Sequence, residues 1–252
     1  MAKLKEIVSY THQYLRVSEF SDYCPNGLQV EGREEINKIA SGVTASLACI
    51  ETALDWGADA LLVHHGYFWK GERPQVTGMK KVRLRALLTA EISLLAYHLP
   101  LDAHPLVGNN AQLAEKLGIA ELQPLQRGRS ISIGNVGKLA RPIGFGEFVQ
   151  RCEKTLGRTS TYIDSGPEQV ERIALCTGAA QDMIDDAVAS EADVYLTGEI
   201  SEQTAHIARE CGLNFISAGH HATERYGIQA LGEHLADHFH LEHRFFDIDN
   251  PA

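Results

Sequence analysis

The sequence predicts an α/β protein built on a repeated strand–helix–strand unit, and two observations carry that prediction. The first is Ala60–Val63, a short apolar run with a turn signal on each side, which is how a buried parallel strand reads. It follows Ser46–Trp56, where Leu47, Ile50, Ala53 and Leu54 recur at helical spacing and mark one face of a helix. The second is internal repetition. Ile39, Ala40, Ala45, Ile50, Ala53, Ala58 and Asp59 recur without a gap as Ile173, Ala174, Ala179, Ile184, Ala187, Ala192 and Asp193.

A chain of 252 residues, 44% hydrophobic and 22% charged, has an ordinary globular composition and room for one large or two small domains. No apolar stretch approaches membrane-spanning length, and Met1–Glu6 opens a helix and not a signal peptide. Five scattered cysteines (Cys24, Cys49, Cys152, Cys176, Cys211) never form a Cys-x-x-Cys pair, which fits a reducing cytoplasm and offers no zinc knuckle. A net charge of −10 argues against broad electrostatic binding of nucleic acid and leaves only a local basic patch.

In chain order, Lys3–Leu15 is an amphipathic helix with Leu4, Ile7, Val8, Thr11 and Leu15 on one side. Strands are expected at Leu28–Val30, within the turn-rich Ser21–Gly32, and at Ile36–Val43. Tyr67, Phe68 and Trp69 follow the Ala60–Val63 strand; they either pack their loop down or stack on a planar ligand. Met79–Glu91 is a helix whose Lys80, Lys81, Arg83 and Arg85 form either a solvated face or an anion-binding patch. Ile92–Tyr97 is a third apolar run and Asn110–Leu117 a helix. Gln126–Ser130 is rich in Gly and basic residues and marks a boundary, dividing the chain into 1–125 and 126–252. Strands at Ser130–Gly137 and Ser160–Ile163 flank a helix at Phe145–Leu156 with Gly157 as its stop. Asn214–Ala218 is a short strand leading into a last helix, along which Ile228, Leu231, Leu235 and Phe239 form the apolar stripe.

The residues that suggest chemistry sit at the ends of these strands. His64 and His65 end the Ala60–Val63 strand, at the carboxyl edge where open α/β sheets bind ligands. A lone His-His pair is more often packed or exposed without function, and alternating strand faces keep the two from gripping one ion together. The repeat sets His98-x-x-x-Asp102 against His220-x-x-x-Glu224, while Gly198-Glu199 replaces the His-His pair. Glu224 falls inside the apolar stripe of the last helix, where an uncompensated charge is costly. A metal ion or a buried arginine would offset that cost. Spacing of four puts His220 on the same face, whereas His221 points elsewhere. His234, His238, His240 and His243 read as surface histidines.

The candidate ligands are therefore His64, His65, Asp102, His220 and Glu224. Histidine and carboxylate without cysteine suit zinc, iron, manganese or nickel alike. Five donors are one too many for a closed tetrahedral zinc and too few for two separately saturated ions. Two divalent ions sharing a bridging carboxylate and water fit the count and suit hydrolysis of a phosphoryl or carbon–nitrogen centre.

Ser21–Val30, Val63–Gly71, His98–Pro105, Gly108–Ala114, Leu196–Glu199 and Ala218–Arg225 together resemble the dinuclear metal centre proteins called NIF-three-like, over essentially the whole chain. The resemblance implies two interlinked α/β domains, with the segment from about residue 215 packing back on the first. It also implies a ring-shaped homohexamer and metal ligands that map onto the five residues named. The long central insertion of some members is missing. Members carry a type-2 GTP cyclohydrolase I label, and other proposals for the family are DNA repair and metal handling. The expectation is a hydrolase acting on a nucleotide-like or phosphorylated small molecule, with His98 as an outer-sphere or acid–base group and Lys80–Arg85 contacting phosphate. A metal-delivery protein without turnover and a toroidal scaffold on DNA are the alternatives from other classes.

Overall fold

The structure, a computed structural model, describes residues 1–126, 128 and 131–252. Of the expected boundary stretch Gln126–Ser130, Arg127, Arg129 and Ser130 lie outside the described residues. By its internal contacts the chain divides into a first unit, Met1–Leu101 with Ile228–Asp249, and a second, Asp102–Gly227 with Asn250–Ala252. No helix among the described residues is long and apolar enough to cross a membrane.

In the first unit, five strands among the described residues form the main sheet, in the order Glu242–Phe245, Lys38–Thr44, Ala60–His65, Ser93–Ala96, Gly27–Val30. The first four are parallel to their neighbours, and Gly27–Val30 closes the edge antiparallel to Ser93–Ala96. Ala40, Leu61, Val63, Leu94 and Ala96 bury one face of this sheet against Cys49, Ile50, Ala53, Leu84 and Leu87 of the helices Leu47–Trp56 and Gly78–Thr89. Each fully buried Leu or Ile there contributes about 1.5–3 kcal/mol. The Leu47–Trp56 helix has local signals at both ends. The Ser46 hydroxyl accepts the Cys49 N–H, and Gly57 takes the left-handed conformation (φ 74°) that ends it.

In the second unit, six strands among the described residues run in the order Ile119–Pro124, Asn135–Gly144, Gln169–Cys176, Val194–Thr197, Asn214–Ser217, Thr161–Ile163. Gln169–Cys176, Val194–Thr197 and Asn214–Ser217 are parallel, and the outer pairings are antiparallel. Phe145, Phe148, Val149, Cys152 and Leu156 turn the apolar face of the helix Phe145–Leu156 onto Ile173, Leu175, Val194 and Leu196.

The repeat is structural. Asp59 Oδ2 accepts the N–H groups of Asn37 and Lys38 at 2.7 and 3.0 Å, and Asp193 Oδ2 accepts those of Glu171 and Arg172 at 2.8 and 2.7 Å. In each unit the carboxylate just before the second repeat strand thus bonds the backbone of the first, at its start in Lys38–Thr44 and within Gln169–Cys176. Beyond this the copies slip by one residue. Ala96 pairs with Val63 as Ser217 pairs with Thr197, so His98 aligns with Gly219, and His220 stands one position further on.

Four expectations need correction. The strand at Ile36–Val43 is split into Glu35–Ile36 and Lys38–Thr44, because the Asn37 N–H turns to Asp59. The strand placed at Ser130–Gly137 runs over Asn135–Gly144 instead; Ser132 Oγ bonds Gly134 O and the Gln126 N–H, which keeps Ser132–Gly134 out of the strand. The last helix begins at Arg225, since Glu224 closes a separate short helix, His220–Thr223. His243 and His234 are not surface histidines. His243 Nε2 lies 2.7 Å from Ser41 Oγ, and His234 Nε2 bonds the Tyr10 hydroxyl at 2.8 Å while its ring stacks 4.1 Å from Tyr14.

Candidate metal centre

The parallel strand Ala60–His65 ends in two histidines because its apolar residues fill the sheet and its last positions emerge at the carboxyl edge. His64 is fully buried, with Nδ1 2.8 Å from the Tyr97 carbonyl oxygen. A carbonyl only accepts, so Nδ1 carries the proton and Nε2 the lone pair. His65 is half-buried, with Nδ1 3.3 Å from Thr44 Oγ1. The two rings were expected on opposite faces, yet their centroids are 4.6 Å apart. His65 is the last residue of the strand, where strict alternation no longer holds. With His98 they form a cluster whose ligand atoms lie within 4.8 Å of one another.

His98 follows the strand Ser93–Ala96 and is held by the segment Ser21–Asn26. Its Nδ1 lies 2.9 Å from Asp22 Oδ1, and its N–H donates to Asn26 Oδ1 at 2.7 Å. Asp22 Oδ2 also accepts Asn26 Nδ2 and the Leu99 N–H. Burial pushes the Asp22 carboxyl up, but the hydrogen bonds from His98, Asn26 and Leu99 outweigh it and hold the pKa down at about 2.

The second unit carries the acidic donors. Asp102 is buried, and its Oδ1 accepts Asn109 Nδ2 at 2.8 Å while Asn109 Oδ1 accepts the Gly227 N–H. Asn110 donates to the Asp102 carbonyl and accepts the Thr177 N–H. Glu224 is 3% exposed and offers an oxygen within 4.8 Å of one from Asp102. His220 Nε2 lies 3.2 Å from Glu224 Oε2, and its Nδ1 lies 2.7 Å from Glu199 Oε1. Burial pushes the His220 imidazole down, but Glu224 and Glu199 together raise its pKa to about 9. Gly178, at φ 74°, stands where a Cβ would fall on Glu224 Oε1, and its N–H donates to Thr223 Oγ1. These clusters of histidine and carboxylate are ones that can bind a metal ion.

The family model for Duf34/NIF3 (NGG1p interacting factor 3) matches residues 2–251. The chain belongs to the DUF34/NIF3 family. Relatives called GTP cyclohydrolase 1 type 2 homolog include one from Pseudomonas aeruginosa, 55% identical over 249 residues, covering 99% of this chain and 98% of that protein. Another, from Escherichia coli K12, is 50% identical over 254 residues, covering 99% of this chain and all of that protein. The solved structure of the protein ybgI, described as of unknown function, matches with a TM-score of 0.95 at 49% identity over the whole of both chains. TTHA1606 from Thermus thermophilus gives 0.91 at 35% identity, also over the whole of both. Reduced HcgD from Methanocaldococcus jannaschii gives 0.84 at 27%, covering 99% of this chain and 98% of that one.

Within this DUF34/NIF3 chain the structure brings His64 and His65 together in the first unit, and Asp102, His220 and Glu224 in the second. The residues that hold them were not found from sequence. Glu199, Asn109 and Gly178 each contact or crowd one of these side chains, Asn110 bonds the Asp102 carbonyl, and Asp22 and Asn26 hold His98. One had a usable signal: the ungapped repeat sets Glu199 at the position of His65. The basic helix is also partly spoken for, because Lys80 Nζ pairs with Glu72 at 3.1 Å and sits 4.9 Å above the Phe68 ring.

Proposed function

We propose that the protein is a metal-dependent hydrolase of a nucleotide-like or otherwise phosphorylated small molecule, holding up to two divalent ions on His64, His65, Asp102, His220 and Glu224. The observation that carries this reading is the shared construction of His64, His98 and His220. Each commits Nδ1 to an oxygen acceptor (Tyr97 O, Asp22, Glu199), the arrangement that fixes an imidazole with Nε2 as its ligating or proton-carrying atom, and Nε2 of His220 lies 3.2 Å from the neighbouring donor Glu224 Oε2. Zinc, iron, manganese and nickel all suit such donors, and a carboxylate bridging two ions suits the count. Bound there, divalent ions supply Lewis acidity and lower the pKa of water. His98 takes and returns a proton at Nε2 while Asp22 fixes its ring. Lys81 and Arg85 are exposed on the helix Gly78–Thr89 and serve as phosphate contacts, Lys80 being engaged by Glu72.

The GTP cyclohydrolase 1 type 2 homolog name of the relatives supports the nucleotide direction. A ring-shaped homohexamer, with metal sites opening to its central cavity, and a cytoplasmic setting belong to the same reading. Elemental analysis after purification and reconstitution, followed by a turnover screen of the metal-loaded protein against nucleotides, tests it. Bound metal with turnover is the expected result. Absence of metal after reconstitution overturns the metal reading; metal without turnover overturns the hydrolase and leaves a metal-binding protein. Light scattering that finds a stable monomer at micromolar concentration removes the ring.

A further inference from the structure

Two aromatic rings stand against the histidine cluster of the first unit, and the metal ligands do not account for them. Trp69 meets His98 edge to face, with centroids 5.0 Å apart and planes at 85°, and lies 5.9 Å from His65. Tyr23 meets His98 from a second direction at 5.3 Å and 63°. The two rings are 6.3 Å apart and tilted by 33°, close enough to form one wall and too close to admit a third ring between them.

Hydrogen bonds hold the two segments that carry the wall. Trp69 Nε1 donates to the Gly66 carbonyl at 3.2 Å, its N–H donates to Glu72 Oε2, and the Lys70 N–H donates to the Tyr23 carbonyl at 2.6 Å. The Trp69 ring is thus oriented before any ligand arrives, which lowers the ordering cost of binding. Tyr23 is nevertheless 54% exposed, and Trp69 is half-buried. If their task were only to pack His98, burial of both rings would serve it better. Instead, aromatic surface is kept open beside buried polar donors, the combination that distinguishes a small-molecule site from plain packing.

We propose that Tyr23 and Trp69 form a stacking wall for a planar heteroaromatic ring of nucleobase size, presenting the edge of that ring to His98 and the His64–His65 pair. This deepens the hydrolase reading and rests on it for the reacting atoms: the wall sets which substrates enter, and the histidines act on what the wall holds. Both residues are specificity determinants, and stacking on them is tolerant of which base is presented because every base has a π-face.

Equilibrium dialysis with guanosine 5′-monophosphate and ribose 5-phosphate isolates the ring, since the two share a phosphate and differ in the base. The wild-type protein is expected to bind guanosine 5′-monophosphate at least about 10-fold more tightly. Trp69→Ala removes that preference, Trp69→Phe keeps most of it, and metal content by elemental analysis stays unchanged in both. Tyr23→Ala, at a largely exposed side chain, weakens the preference even if Trp69→Ala fails to fold. Equal binding of the two probes, binding of neither, or a ring preference that survives in both alanine variants overturns the proposal. The metal reading fails separately: a protein that carries no metal but shows a Trp69-dependent ring preference keeps the wall and loses the hydrolase.

Discussion

Nδ1 of His98 lies 2.9 Å from Oδ1 of Asp22, and the other oxygen of that carboxylate takes hydrogen bonds from the Asn26 side chain and the Leu99 N–H. A single turn residue thus anchors the segment that leaves the strand Ser93–Ala96. Asp22→Ala orphans these donors and should destabilise the protein by about 2–3 kcal/mol, the cost of leaving buried polar groups unmet. Asp22→Asn, which keeps an acceptor oxygen, should lose less. Urea unfolding of the two variants without metal measures this, and an unchanged midpoint in Asp22→Ala would contradict it.

Asn109 connects two things that must stay in register: it donates to Asp102 Oδ1 and accepts the Gly227 N–H. Removing an outer hydrogen-bond partner of a metal ligand costs about 10–100-fold in metal affinity. With Asp102 as a ligand, as proposed, Asn109→Ala should weaken metal binding by at least about 10-fold, seen by titration against a chelating indicator. Affinity equal to that of the wild type would show that Asp102 is either not a ligand or is held by other means.

How much of this could be read from the sequence depends on whether the signal was local. Asp59 and Asp193 recur at the same place in the repeat, and both bond the backbone at the corresponding place in the neighbouring strand, so the repeat could be read as architecture. The strand Glu242–Phe245 could not, because its residues alternate between exposed and half-buried with no apolar run; it exists through parallel pairing with Lys38–Ser41, some two hundred residues earlier in the chain. Ile119–Pro124 was hidden for a different reason. Glu121 sits at φ 54° and the register shifts between Ala120 and Gln123, so no period-2 pattern survives. The donor side chains stood out as histidines and carboxylates at strand ends. Their supports did not, since a hydrogen bond such as Asn26 to His98 spans 72 residues and leaves no trace in local spacing.

His243 gives a pH dependence that is independent of any metal. Burial pushes its imidazole below the ordinary value of 6.5, only partly opposed by Glu233, and its Nε2 faces the Ser41 hydroxyl. With the folded pKa depressed, the unfolded state binds more protons in the window just below 6.5, so stability rises with pH there. This contribution is complete above about 6.5 and is lost as pH falls through the folded pKa. His243→Gln should flatten the curve: the stability difference between pH 7.5 and pH 5.5 should shrink relative to wild type when both are unfolded in urea. A parallel loss in the two proteins would show that His243 does not titrate in this range.

Glu224 decides between a metal ligand and a structural ion pair. It is 3% exposed, so its charge needs an opposite one nearby, and the structure supplies His220 Nε2 at 3.2 Å. Two arrangements meet that need: a cation shared by Glu224 and His220, or a proton on His220 that makes the two an ion pair. Gly178 leaves the space in which Glu224 sits, so shortening the side chain opens a gap without a clash. If Glu224 is a ligand, Glu224→Ala should lower metal content. Part of its stability deficit should then disappear when both proteins are compared with chelator, because bound metal stabilises the native state by mass action. If the ion pair is the main role, the variant should keep its metal. Its deficit should persist after chelation at about 3–5 kcal/mol, the cost of breaking a buried pair. Metal stoichiometry together with urea unfolding, with and without chelator, separates the two. Full metal occupancy in a destabilised Glu224→Ala protein would sink the ligand assignment.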